Sequence, residues 1–209
     1  MKQYKLKNKL KHTGIAILAL TMALPSFAQS VKQELQAKLA QLQPFSADFT
    51  QTVTSAEDKV LLTAQGNMQL QRPNQFRWHT LTPDEQLIVS NGETLWFYNP
   101  FVEQVSIYSL QDAIANTPFM LIAGAKQALW DTYQVSKQAG LYRVVTPNDD
   151  SAAIFTISFA QGQIAEFSVQ EQQGQRSAFK LTNYGKVASK DTQLFNFDIP
   201  ENTDIDDQR

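Results

Sequence analysis

From Phe45 onward the chain is a succession of short runs in which apolar and polar residues alternate, parted by turn residues. Over "FSADFTQTV", Phe45, Ala47, Phe49, Gln51 and Val53 alternate with Ser46, Asp48, Thr50 and Thr52. That is the period of two of a β-strand with one greasy face. Met68 and Leu70 continue the pattern, and "QFRWHT" puts Phe76 and Trp78 on one face and Gln75, Arg77 and His79 on the other. Asn91-Gly92 separates "QLIVS" from "TLWFY". Gly140 and Gly162 separate further pairs of runs, and Gly174 precedes "RSAFKL". Glycines between alternating runs specify antiparallel hairpins. "FNFDIP" predicts a last strand with Phe195 and Phe197 on one side.

Two stretches break the strand pattern. Val31 to Gln43 carries Val31, Leu35, Leu39 and Leu42 on one helical stripe, and Pro44 ends it. The second, Leu110–Trp130, is a helical insert midway along the meander. It contains "NTPFMLIAG", residues 116–124, where Asn116 and Thr117 stand at a cap position and Pro118 where proline is tolerated. Gly124 closes the run. The resulting helix has fewer than two turns, far short of the about twenty residues a bilayer span needs. It is apolar on every side, so it needs apolar partners on both faces. A sheet of this length must curl and bury one face, and only the N-terminal helix and the insert are apolar enough to cover it. From the residues alone, "PFMLIA" reads either as plain core or as one wall of a cavity.

Lys2, Lys5, Lys7, Lys9 and Lys11 form a basic region, Gly14 to Leu24 an apolar core, and "PSFA" a small-residue cleavage site. Residues 1–28 are therefore expected to be a cleaved secretory signal, leaving Gln29 first and 29–209 as a single domain. The segment holds five of the 18 Lys+Arg and none of the 20 Asp+Glu, so the remainder has a formal net charge of −7. Such a balance disfavours nucleic acid and anionic membrane surfaces as partners. The chain has no cysteine, so it has no disulfide, thiol nucleophile, thiolate metal site or lipidation site. His79 is the one histidine beyond the signal. No metal or cofactor is expected. A Ser-His-Asp hydrolase would need His79 as its base, yet His79 points away from the Phe76/Trp78 face. No Gly-x-Ser-x-Gly elbow is present, and the acids form no glycosidase-like pair.

"RPNQFRWHTLTPDEQLIVSNGETLWFYNPFVEQV" (72–105), "NTPFMLIAG", "EFSVQEQQGQRSAFKL" and the closing "DIDDQR" closely resemble the LolA family, periplasmic carriers of outer-membrane lipoproteins. The resemblance implies an unclosed antiparallel β-barrel, a strongly curved sheet covered by an α-helical lid that encloses an apolar cavity. It further implies a non-enzymatic monomer that accepts acylated lipoproteins from an inner-membrane ABC transporter and delivers them to an outer-membrane receptor. The related receptor is itself lipidated on cysteine, so the absence of cysteine favours the soluble carrier. A carrier of other lipids or hydrophobic small molecules stays open as an alternative.

By the same resemblance Arg72 is expected to latch the lid by hydrogen bonds to helix carbonyls. The residues alone also allow a solvated arginine near a turn. Met68, Phe76, Trp78, Phe119, Met120, Leu121, Ile122 and Phe167 are the expected cavity and lid residues. Several of them would equally suit an ordinary core. Burying a methylene is worth about 0.8 kcal/mol, so several acyl chains represent on the order of tens of kcal/mol. A cavity that packed them perfectly could hardly release them, and deformable Met68 and Met120 suit an imperfect fit. Asp204, Asp206 and Asp207 read as a solvated tail, or as charge that keeps the protein off anionic bilayers.

Overall fold

The computed structural model describes residues 30–114, 119–124, 126–149, 151–187 and 193–209. The expected signal, residues 1–28, and the Asn116-Thr117-Pro118 cap lie outside these. Helix α1 (Val31–Ala40) opens the described chain, capped by Ser30 and Gln33, which exchange side-chain and backbone hydrogen bonds. It stops short of the expected Gln43, because Gln43 precedes Pro44 and is pushed away from helical geometry. Six strands follow as a continuous meander: β1 (Phe45–Thr54), β2 (Val60–Gln71), β3 (Gln75–Thr82), β4 (Gln86–Asn91), β5 (Thr94–Asn99) and β6 (Gln104–Ser109). Three short helices, α2 (Leu110–Ile114), α3 (Phe119–Ala123) and α4 (Gln127–Asp131), form the insert. A second meander comprises β7 (Gln134–Gln138), β8 (Leu141–Val145), β9 (Ile154–Ala160), β10 (Gln163–Gln170) and β11 (Arg176–Lys186), and β12 (Asp204–Asp207) ends the chain.

All twelve strands belong to one sheet, in the order β12-β6-β5-β4-β3-β2-β1-β11-β10-β9-β8-β7. β11 joins the two meanders by pairing with β1. The sheet is not closed into a barrel, since β7 and β12 each have a neighbour on one side only. This topology explains where the insert lies. β6 is next to one end of the sheet and β7 is the other end, so the chain between them must travel from one side of the sheet to the other. Its apolar residues then have the inner face to pack against.

The register puts the expected residues on that inner face. Phe45 pairs with Leu70, Ala47 with Met68 and Phe49 with Gly66, and on the next strand Leu70 pairs with Phe76 and Met68 with Trp78. The core joins these to Leu35 and Leu39 of α1, Leu121, Ile122 and Ala123 of α3, Trp130 of α4, and Phe155, Ile157, Ile164 and Phe167 of the second meander. α1 is tied down at both sides. Lys32 Nζ donates to the Trp130 carbonyl at 3.0 Å, and Glu34 Oε1 accepts from Lys137 Nζ at 2.7 Å and Tyr142 OH at 2.6 Å.

Two expectations about the C-terminal region are corrected. Residues 195–200 form no strand; they are turn and irregular chain. The reason lies on the outer face of β4–β6, which is also apolar. Val89 pairs with Trp96 and Trp96 with Ile107, while Leu87 pairs with Tyr98 and Tyr98 with Val105. Leu87, Val89, Val105 and Ile107 are buried although they point away from the main core. The segment from residue 193 sets the Phe197 ring 5.3 Å from Tyr98 and leaves Phe195 only 1% exposed. These phenylalanines act as cover for an apolar outer face, which alternation alone does not distinguish from a strand. The acidic end is solvated as expected, with Asp204 and Asp207 exposed, but it is a strand rather than a tail: Asp204 to Asp207 pair in parallel with Gln104 to Ile107. Its charges stand on the outermost strand of that side of the sheet. Among the described residues no helix is long and apolar enough to cross a membrane.

Candidate functional site

An apolar pocket of about 370 Å³ lies between the inner face of the sheet and α3. Its walls include Phe76, Trp78, Ile88, Leu95, Phe167 and Phe179 from the sheet and Phe119 from α3. The rings are mutually oriented at close range. Phe119 meets Phe76 edge-on with centroids 5.3 Å apart, Trp78 meets Phe179 edge-on at 5.2 Å, and Phe167 stacks on Phe179 at 4.8 Å. Trp78 stacks on Phe49 at 4.2 Å, an arrangement that needs Gly66. A Cβ at Gly66 would run into the His79 carbonyl and come within 2.7 Å of the Phe49 ring.

α3 is five residues long, with Leu121, Ile122 and Ala123 fully buried. Its C-terminal carbonyls have no further helical turn to bond, and the β2–β3 turn supplies their partners. Arg72 Nη1 donates to the Ile122 carbonyl at 2.8 Å and to the Leu121 carbonyl at 3.3 Å, and the Asn74 backbone N–H donates to the Ala123 carbonyl at 2.8 Å. Burial lowers the Arg72 pKa from its ordinary value, yet a guanidinium stays charged in proteins. Gly124 follows with φ +130°, and a Cβ there would press on Pro73 at 3.1–3.2 Å. The turn itself is braced from below. Asn74 takes φ +64°, which asparagine tolerates. Fully buried Ser90 donates to the Asn74 carbonyl at 2.9 Å and accepts from the Gly92 N–H at 3.1 Å.

Of the residues singled out by sequence, Phe76, Trp78, Phe119 and Phe167 line the pocket. Met68, Leu121 and Ile122 are buried in the surrounding core, and half-buried Met120 packs against it. Arg72 lies on the carbonyl end of α3. His79 sits on the opposite face of β3, where its Nε2 pairs with Glu85 Oε1 at 2.8 Å. Asn74, Ser90 and Gly66 were not foreseen, nor were Gln51, Thr80 and Gln86, which also line the pocket; Gly124 ends α3 as expected, but its contact with Pro73 was not foreseen. For four of these the signal was available: Ser90, Gln51, Thr80 and Gln86 are polar residues on the parity of the greasy face.

The family description "outer membrane lipoprotein carrier protein LolA" matches residues 40–198. The chain belongs to the LolA family. A protein of Aeromonas salmonicida (strain A449) named outer-membrane lipoprotein carrier protein is 41% identical, the match covering 98% of this chain and 100% of that protein. One of the same name from Aliivibrio fischeri (strain ATCC 700601 / ES114) is 44% identical over 92% of this chain and 98% of its own length. The crystal structure of a LolA superfamily protein from Nitrosomonas europaea superposes with a TM-score of 0.51 at 11% identity, covering 79% of this chain and 97% of that one. At that identity the likeness bears on the LolA fold alone.

Proposed function

We propose that this LolA-family chain carries outer-membrane lipoproteins through the periplasm and holds their acyl chains in the pocket beneath α3. The observation that carries the reading is that pocket, apolar and walled on one side by Phe119 of a helix whose anchorage is local. In this reading residues 1–28 direct export and are removed, and 29–209 is a monomeric carrier domain. It receives acylated proteins from an inner-membrane ABC transporter and passes them to an outer-membrane receptor. The insert α2–α4 is the lid, and Arg72 is its latch.

Volume supports a lid that moves. About 370 Å³ is near the low end of small-ligand pockets, so several acyl chains require α3 to lift away from the sheet. Lifting exposes fully buried Leu121 and Ile122, at roughly 1.5–3 kcal/mol for each side chain, and breaks three hydrogen bonds to α3 carbonyls at the β2–β3 turn. Each bond returns roughly 1 kcal/mol net, and those from the charged Arg72 somewhat more. That total is smaller than the hydrophobic gain of housing hydrocarbon, so loading can open the lid and an empty carrier recloses. No covalent step is required. The pocket lining has no charged residue, and His79 faces the other way.

Recovery of the protein from periplasm followed by mass spectrometry of its cargo tests the proposal. Bound acylated lipoproteins are expected. Free lipids in their place would support the alternative lipid carrier and overturn this reading.

A further inference from the structure

Three polar side chains interrupt the apolar wall of the pocket: Thr80 and Gln86 are direct strand partners, and Gln51 lies on β1, across β2 from them. Thr80 pairs with Gly66 on one side and Gln86 on the other, while Gln51 pairs with Ala64 and Phe179. All three are half-buried inner-face residues that line the pocket. Among the described residues their side chains make no hydrogen bond within the protein, and none of their polar atoms is among the buried unpaired ones, so they stand open to whatever fills the pocket.

Their place along the strands gives the pocket a direction. The carbonyl end of α3 is docked on the β2–β3 turn, next to Phe76. Thr80 lies four residues farther along β3, about 13 Å at the rise of an extended strand. The wall is thus hydrocarbon near the docked turn and becomes hydrogen-bonding toward the far end. No charged side chain lines any of it. A phosphate or carboxylate entering there would lose hydration and gain no countercharge, which is costly. Ester and amide carbonyls are different: they accept hydrogen bonds, carry no charge, and can take the N–H groups of two glutamines and the hydroxyl of a threonine.

We infer that Gln51, Thr80 and Gln86 form a subsite for the uncharged ester groups of an acylated cargo, at the level where its chains pass into the pocket. The inference rests on the carrier reading above and extends it. The protein selects neutral acyl-glyceryl groups over anionic lipids, and it holds the polar link to the cargo at the end of the pocket remote from Arg72.

The test compares two synthetic lipopeptides with equal chains on an S-glyceryl cysteine, one a diester and the other its diether, which lacks the ester carbonyls but keeps the same amides. Both displace an alkyl fluorophore from the chain 29–209 and from the double variant Gln51→Met/Gln86→Met. The unmodified chain is expected to prefer the diester by about tenfold, the equivalent of one or two ordinary hydrogen bonds. The variant should lose that preference while still binding the fluorophore, which reports an intact pocket. Equal affinity of the unmodified chain for the two ligands overturns the subsite and leaves the carrier reading standing, as does a preference that survives in the variant. Failure of the unmodified chain to take up either lipopeptide overturns both. Should the variant fold poorly, the ligand comparison on the unmodified chain decides alone. A fatty-acid anion that bound more tightly than its methyl ester would contradict the neutral selectivity.

Discussion

Arg72 donates through Nη1 to the carbonyl of Ile122 at 2.8 Å, fifty residues away along the chain. The same nitrogen reaches the Leu121 carbonyl, so one guanidinium caps the end of a helix too short to hold itself. Isolated helices of this length are unstable in water, and α3 therefore owes its position to the sheet beneath it and to this turn. Arg72→Leu is expected to leave the sheet intact, because the side chain belongs to no strand ladder. It removes charge-assisted bonds worth about 1.5–3 kcal/mol from the docked state alone. In the carrier reading, the variant accepts cargo but fails to pass it on. A transfer assay from loaded carrier to the receptor measures this, and normal delivery would refute the latch. Arg72→Lys should be intermediate, since a single ammonium serves two carbonyls less well.

Gly124 provides a second handle on the same contact. Its φ of +130° is one that an L side chain rarely adopts, and its Cα lies against Pro73. Gly124→Ala should destabilise the docked α3 by about 1–3 kcal/mol without touching any hydrogen-bonding side chain. Amide exchange at Leu121–Ala123 would accelerate selectively while the strand amides of β1 and β2 stay protected. Uniform acceleration throughout the sheet would show that Gly124 serves global stability and has no special part in docking.

The strands could be read from the sequence because period-two alternation is a local code, and the β4–β5, β7–β8, β9–β10 and β10–β11 turns each carry a glycine; the β1–β2, β2–β3, β3–β4, β5–β6 and β8–β9 turns carry none. The docking of α3 could not be read this way. Asn74 and Gly124 are ordinary turn residues, and Ser90 a polar residue within β4, until the β2–β3 turn meets the end of a helix some fifty residues later, and nothing local encodes that meeting. Arg72 stood out only through family resemblance. Phe195 and Phe197 were misread for a related reason: alternation reports that two rings share a side, but not whether their backbone pairs with a strand. The β12–β6 pairing joins Asp204 to Gln104 through a segment whose aspartates have poor strand propensity. Its partner is set by topology.

Glu34 makes the attachment of α1 sensitive to acid. Hydrogen bonds from Lys137 and from Tyr142 hold its carboxyl below the usual value of 4.5. A carboxyl with a depressed folded pKa contributes its stability above the unfolded value and loses it as pH falls through the folded one. The contribution should therefore be complete at neutral pH and decline below about 4.5. Thermal melts of the unmodified chain and Glu34→Gln between pH 3 and 7 provide the check. The two should differ at neutral pH and converge in acid. A difference that stayed constant with pH would mean that Glu34 acts by packing alone.

The β12 strand separates two explanations of the acidic C-terminus. If the charges of Asp204, Asp206 and Asp207 matter chiefly by repelling anionic bilayers, replacing all three with Asn should raise binding to anionic vesicles while the chain stays monomeric. If the strand matters chiefly as cover for β6, deletion after Pro200 is the damaging change. That deletion frees the groups now bonded by the Asp204 and Gln208 N–H, the carbonyls of Glu103 and Ile107, and opens an edge next to buried Val105 and Ile107. An uncovered edge of this kind is a template for strand addition, whereas Asn substitution leaves the backbone ladder in place. The pairing geometry favours the second explanation. The deletion should self-associate with increasing concentration in sedimentation velocity, and the Asn variant should remain monomeric with unchanged vesicle binding. A monomeric deletion variant would remove the edge role, and stronger vesicle binding by the Asn variant would restore the electrostatic one.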